Sequence, residues 1–127
     1  MRRDMDLLRL LVLKLEALHE EAHSIYMYDY KELLIDGYTQ DQVAYHLDLA
    51  VEAGLIDTGG NGIMNGFTFR RLTWEGHDFV DAVRDDDIWS KTRQGASAAG
   101  GFSLELLKDL AKGFIKKKIS EHTGVEI

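Results

Sequence analysis

His19-Glu20-Glu21-Ala22-His23 is the stretch whose residue types and spacing come closest to a hydrolytic centre. When H-E-x-x-H lies on a helix, its two histidines share one face and hold zinc, and the glutamate activates the bound water. Such a centre needs a third protein ligand. The other histidines, His46, His77 and His122, each fall in an unrelated stretch, and no strand precedes the motif to hold a peptide. A solvated polar helix end accounts for His19, Glu20 and His23 equally well. Asp85-Asp86-Asp87 reads as water-exposed acids at a helix end rather than a magnesium site. The glycines between Gly59 and Gly66 lack the Lys-Ser or Lys-Thr that a phosphate loop requires. With no cysteine in the chain, thiol catalysis, disulfides and Cys-based zinc sites are excluded together. The residues therefore predict a protein that binds, with no cofactor and no resident metal. Zinc hydrolysis is the distant alternative.

Binding has its own candidates. Gln40, Gln42 and His46 lie on a predicted helix and are side chains that can read base edges. Arg70 and Arg71 follow a predicted strand, and Lys112, Lys116, Lys117 and Lys118 follow a glycine-rich stretch. These nine residues are the candidate DNA contacts. Charge argues against them. Fifteen basic residues face 22 acidic ones, a net charge of −7, whereas proteins that grip phosphates carry a basic face. Residues 1–94 hold 10 basic and 18 acidic side chains, and all five lysines of residues 95–127 fall between Lys108 and Lys118. The helix carrying Gln40, Gln42 and His46 has no Lys or Arg, but does have Asp41, Asp48 and Glu52. Nothing on it would anchor a phosphate backbone.

The elements that must position these residues follow from pattern. At 127 residues, 45% hydrophobic and 29% charged, the chain has the size and composition of one ordinary globular domain. Leu8, Leu11, Val12, Leu15 and Leu18 predict a helix over about 5–22, with Leu7, Leu10 and Leu13 widening its apolar face. So apolar a helix is either deeply buried or shared with a second copy. Tyr26, Tyr28 and their neighbours predict a short strand. Thr39 and Gln42 are spaced as a capping box for a second helix, which Gly54 ends. Its inner stripe is Val43, Leu47, Ala50 and Val51. Leu55-Ile56-Asp57 and Phe67-Thr68-Phe69-Arg70 predict a glycine-tipped hairpin. Thr73 caps a third helix, flanked by Trp74 and Trp89 as packing residues. Residues 95–102 read as a small-residue linker, and Ser103 caps a final amphipathic helix with its lysines towards the C-terminus. The boundaries are thus 1–94, 95–102 and 103–127. No apolar run approaches a membrane span, and the N-terminus lacks signal-peptide features; the expected location is cytoplasmic.

Helix, strand, capped helix, hairpin, helix is the order of a winged helix. The run from Tyr45-His46-Leu47 to Ala53-Gly54-Leu55-Ile56 is similar to the end of the third helix and first wing strand of bacterial winged-helix regulators. A closer resemblance covers nearly the whole chain and is carried by that same run together with Met1-Arg2-Arg3-Asp4-Met5-Asp6-Leu7, Arg71-Leu72-Thr73-Trp74-Glu75-Gly76-His77-Asp78-Phe79, and Arg84-Asp85-Asp86-Asp87-Ile88-Trp89. Together they resemble the bacterial and prophage family known as domain of unknown function 2513. That resemblance implies a small protein often carried by mobile elements, and no activity. The expected fold class is α+β and mostly helical: a winged-helix-like core with a small hairpin wing and an extra C-terminal helix. The expected role is a protein-protein interaction module, with phage–host conflict as one setting, working as a homodimer through the first or last helix. The alternative is a DNA-binding transcriptional regulator using the wing arginines and tail lysines.

Overall fold

Asp4 starts the structure in the physical sense. Its carboxylate accepts the amides of Asp6 and Leu7, satisfying two of the donors that a helix start leaves open. In this computed structural model, which describes residues 1–60, 66–98 and 103–125, the helix it caps is α1 (Met5–Leu18). The chain continues through β1 (Tyr26–Asp29), a 3-10 turn (Tyr30–Leu33), α2 (Gln40–Glu52), β2 (Ile56–Asp57), β3 (Gly66–Phe69) and β4 (Arg71–Leu72). Three helices follow: α3 (Trp74–Val83), α4 (Asp86–Ala98) and α5 (Leu104–Thr123). The fold is α+β and mostly helical. It divides into two compact units, Met1–Val80 and Asp81–Ile127, so the break falls inside α3 and earlier than the expected 94.

In the first unit α1 packs on α2, and both turn apolar faces inward. Leu7, Leu8, Leu11, Val12 and Leu15 of α1 are buried, as are Val43, Leu47 and Ala50 of α2. Leu18 is exposed, because α1 ends there and not at Ala22. The capping box on α2 is present in full: the Gln42 amide donates to the Thr39 hydroxyl, and the Thr39 amide donates to the Gln42 side chain. Gly54 takes φ +77, the left-handed value that closes a helix most cheaply in glycine.

The strands pair differently from the expected hairpin. Phe67-Thr68-Phe69 pairs antiparallel with β1, setting Tyr26 opposite Phe69 and Tyr28 opposite Phe67. Leu55-Ile56-Asp57 instead meets β4, with Ile56 opposite Leu72 and Asp57 opposite Arg71. The strand run is interrupted at Arg70, whose amide donates to the Asp57 carbonyl. Cross-strand aromatic burial explains the choice, since Phe67 and Phe69 are buried against a tyrosine-bearing strand. Residues 61–65, the expected hairpin tip, lie outside the described residues.

The second unit corrects the linker. Gly95–Ala98 are the last turn of α4, with Ala96 fully buried; residues 99–102 lie outside the described residues. Small side chains here allow close helix packing, and Gly95 sits beside Leu110 of α5. Ile88, Trp89, Thr92 and Ala96 form the buried stripe of α4, facing Leu107 and Ala111. Asp85 accepts the Ile88 amide at 3.0 Å and the Lys118 ammonium at 2.9 Å, tying the start of α4 to the end of α5. Ser103 caps α5 and Gly124 closes it at φ +73.

Two outcomes test this packing. A Cβ built on Gly76 would lie 2.1 Å from the Leu55 carbonyl oxygen, which is backbone and cannot move aside. Gly76→Ala is expected to destabilise by about 2–3 kcal/mol despite its better helix propensity, read as a lower urea midpoint. The Ile88 amide first, and Lys118 second, lower the Asp85 pKa below its ordinary 3.8. A lowered carboxylate stabilises the fold above its ordinary value and loses that contribution as pH falls through the folded one. A carboxyl NMR titration should therefore place Asp85 below 3.8. In Lys118→Met the midpoint should rise yet stay depressed, since the Ile88 amide remains.

Candidate functional site

The second helix, which carries three of the predicted DNA contacts, is positioned by an imidazole. His46 is 1% exposed. Its Nε2 lies 2.8 Å from the Asp4 amide nitrogen and its Nδ1 lies 2.7 Å from the Gln42 carbonyl oxygen. A backbone N–H can only donate, so Nε2 accepts, and the ring proton sits on Nδ1 and donates to Gln42. Tyr38 donates its hydroxyl to the second Asp4 carboxylate oxygen at 3.1 Å. The start of α1, the loop before α2 and the second turn of α2 are thereby joined through Asp4. No local pattern announces this link, because the two residues stand 42 apart in sequence.

That geometry bears on two predicted base readers. His46 is withdrawn into the core with both of its nitrogens engaged, so its ring presents no free group at the surface. Gln42 keeps its carbonyl oxygen on the Thr39 amide. Gln40 is exposed at the first position of α2. Beyond it, α2 leaves Asp41, Tyr45, Asp48 and Glu52 outward. The Asp48 charge, after burial, is a cause of the raised Tyr30 pKa, and Tyr28 is raised by burial, Tyr26, Glu32 and Glu20.

The predicted cations are partly spent. Arg70 and Arg71 both approach one Asp57 carboxylate oxygen, at 3.5 and 3.6 Å. Lys118 is held by Asp85, which raises the lysine pKa. Lys112, Lys116 and Lys117 are exposed along α5. Within the second unit a cleft of 360 Å³ has Ile88 and Phe114 among its lining, with Lys91, Lys117, Asp87 and Glu121 balancing one another in charge.

The zincin geometry does not form. Because α1 ends at Leu18, His19 is its C-cap with extended backbone (ψ 113), and His23 is no longer one helical turn away on the same face. The reason is Tyr26, whose hydroxyl accepts the amides of Glu20 and Glu21 and folds the segment back over β1. The His19 ring packs edge-on to Tyr26 and Phe69. Among the described residues no group of three or more His, Asp or Glu could hold a metal ion. No described helix is long and apolar enough to cross a membrane.

One further expectation is corrected. Trp74 is 79% exposed rather than packed, while Trp89 is buried as expected. His77 is exposed as well. Both sit on α3, where Gly76 takes the inward position against β2. A large side chain two residues earlier must then point away.

Comparison with known proteins gives a family and no activity. The family model described as "Hypothetical protein (DUF2513)" matches residues 2–103. The chain belongs to the DUF2513 family. An uncharacterised protein of Haemophilus influenzae is 32% identical over 126 residues, covering 94% of this chain and all of the relative. The relatedness therefore extends past the family match into α5. No solved structure matches.

His46 gives the site its test. Long-range nitrogen–proton NMR at neutral pH should show a protonated Nδ1 and a bare Nε2. His46→Ala should cost about 2–4 kcal/mol, combining a cavity with an unpaired Asp4 amide. A loss below 0.5 kcal/mol, roughly the scatter of surface substitutions, would mean that the link to Asp4 carries no weight.

Proposed function

We propose that this protein is a non-catalytic, winged-helix-like interaction module whose partner is protein and not DNA. The observation that carries the reading is the outward side of α2, which presents Asp41, Tyr45, Asp48 and Glu52 beside Gln40, and no Arg or Lys to hold a phosphate backbone. Phosphate repulsion acts along the whole helix, and the arginines beside the wing already share Asp57. An aromatic side chain set among carboxylates is, in contrast, a surface that suits a basic protein face, because tyrosine supplies contact area at low entropic cost. The exposed Trp74 adds a second aromatic of the kind that dominates binding energy at protein interfaces.

Titration into mixed duplex DNA checks the reading. At about 50 mM salt, where non-specific phosphate binding is strongest, no association tighter than about 100 µM is expected. Micromolar binding that weakens steeply between low and physiological salt would overturn it. The wing arginines and tail lysines would then be the contacts to examine.

A further inference from the structure

The outward stripe of α2 has a complement within the same chain. Asp41, Tyr45, Asp48 and Glu52 are spaced by 4, 3 and 4 residues, which keeps them on one side of a helix of 3.6 residues per turn. All four are exposed, Tyr45 at 40%. Lys112, Lys116, Ile119 and Thr123 of α5 have the same spacing and are also all exposed, Ile119 at 39%. Among the described residues, neither the three carboxylates nor these two lysines form an ion pair. Lys118, on another side of α5, is the one Asp85 holds.

We propose that the protein self-associates, with α2 of each copy lying antiparallel on α5 of the other. In that direction Glu52 meets Lys112, Asp48 meets Lys116 and Tyr45 covers Ile119, while Asp41 falls at Thr123. Reversing α5 sets Asp48 against Ile119 and Glu52 against Thr123, leaving two carboxylates without a cation. The antiparallel direction also aligns the two helix dipoles favourably. Of the acids of α5, Glu105 and Asp109 fall beyond Glu52, where α2 has stopped, and Glu121 lies on another side of the helix from Ile119 and Thr123. Each stripe is roughly 16 Å long. Reciprocal pairing of two copies forms the contact twice. Exposed ion pairs are individually weak and screened by salt; the dimer should have a Kd on the order of 10 µM and weaken as salt rises.

This proposal rests on the protein-binding reading and names the partner as a second copy. Light scattering across a concentration series, on the full chain, tests it with two charge-reversed variants. One carries Lys112→Glu and Lys116→Glu; the other carries Asp48→Lys and Glu52→Lys. Each alone should be monomeric, with dimerisation weakened at least about tenfold, since like charges then face each other. An equimolar mixture should form a heterodimer, because both contacts are again complementary. That recovery also shows that both variants are folded. A wild-type protein that stays monomeric at every concentration, reversed variants that still dimerise alone, or a mixture that stays monomeric would each overturn the proposal. The DNA titration reads independently of all three, so self-association can fail while the protein-binding reading stands.

Discussion

The hydrogen bond from the Asp4 amide to the His46 imidazole is the contact on which the first unit turns. Asp4 does three jobs in a few ångströms: its carboxylate caps α1, its other carboxylate oxygen receives Tyr38, and its amide fills the acceptor of His46. A buried imidazole with one nitrogen unpaired would carry a desolvation penalty of about 1–3 kcal/mol. Here both nitrogens are used, so a polar ring sits in the core without that penalty. The tautomer is dictated by the partners, since one is a pure donor and the other a pure acceptor.

Burying His46 fixes the rotational phase of α2. Val43, His46, Leu47 and Ala50 face inward together, and a helix has only one opposite side. Asp41, Tyr45, Asp48 and Glu52 must take it. The chemistry offered to a partner is thus a consequence of the core, and the acidic stripe cannot be turned away without exposing His46 and Leu47. The same logic explains Trp74. Gly76 approaches the Leu55 carbonyl more closely than any other residue could, so the start of α3 is locked with Trp74 outward.

The second unit is organised by a comparable joint. Asp85 serves as helix cap for α4 and ion partner for α5 at once. Gly95 and Ala96, where a flexible linker was expected, instead let α4 and α5 approach closely, with Ala96 fully buried. Small residues without charge are compatible with either outcome. What selects the helix is the stripe Ile88, Trp89, Thr92 and Ala96, which has helical spacing only when the run is followed past Gly95.

Much of this protein was legible in its sequence because the deciding forces are local. The capping box at Thr39 and Gln42, the closing glycine at Gly54, the apolar stripes of α1, α2 and α5, and the absence of cations on α2 all act within a few residues. Three features were not legible, and each depends on a partner outside the element it changes. Tyr26 ends α1 early by capturing the amides of Glu20 and Glu21, which removes the zinc geometry. The tyrosine strand takes Phe67 and Phe69 away from the expected hairpin partner. The donor that His46 accepts in the core comes from Asp4, 42 positions earlier. Pattern determines which residues can form a helix or strand. Tertiary structure decides which polar groups find partners, because a buried donor or acceptor must be satisfied by whatever the fold brings near it.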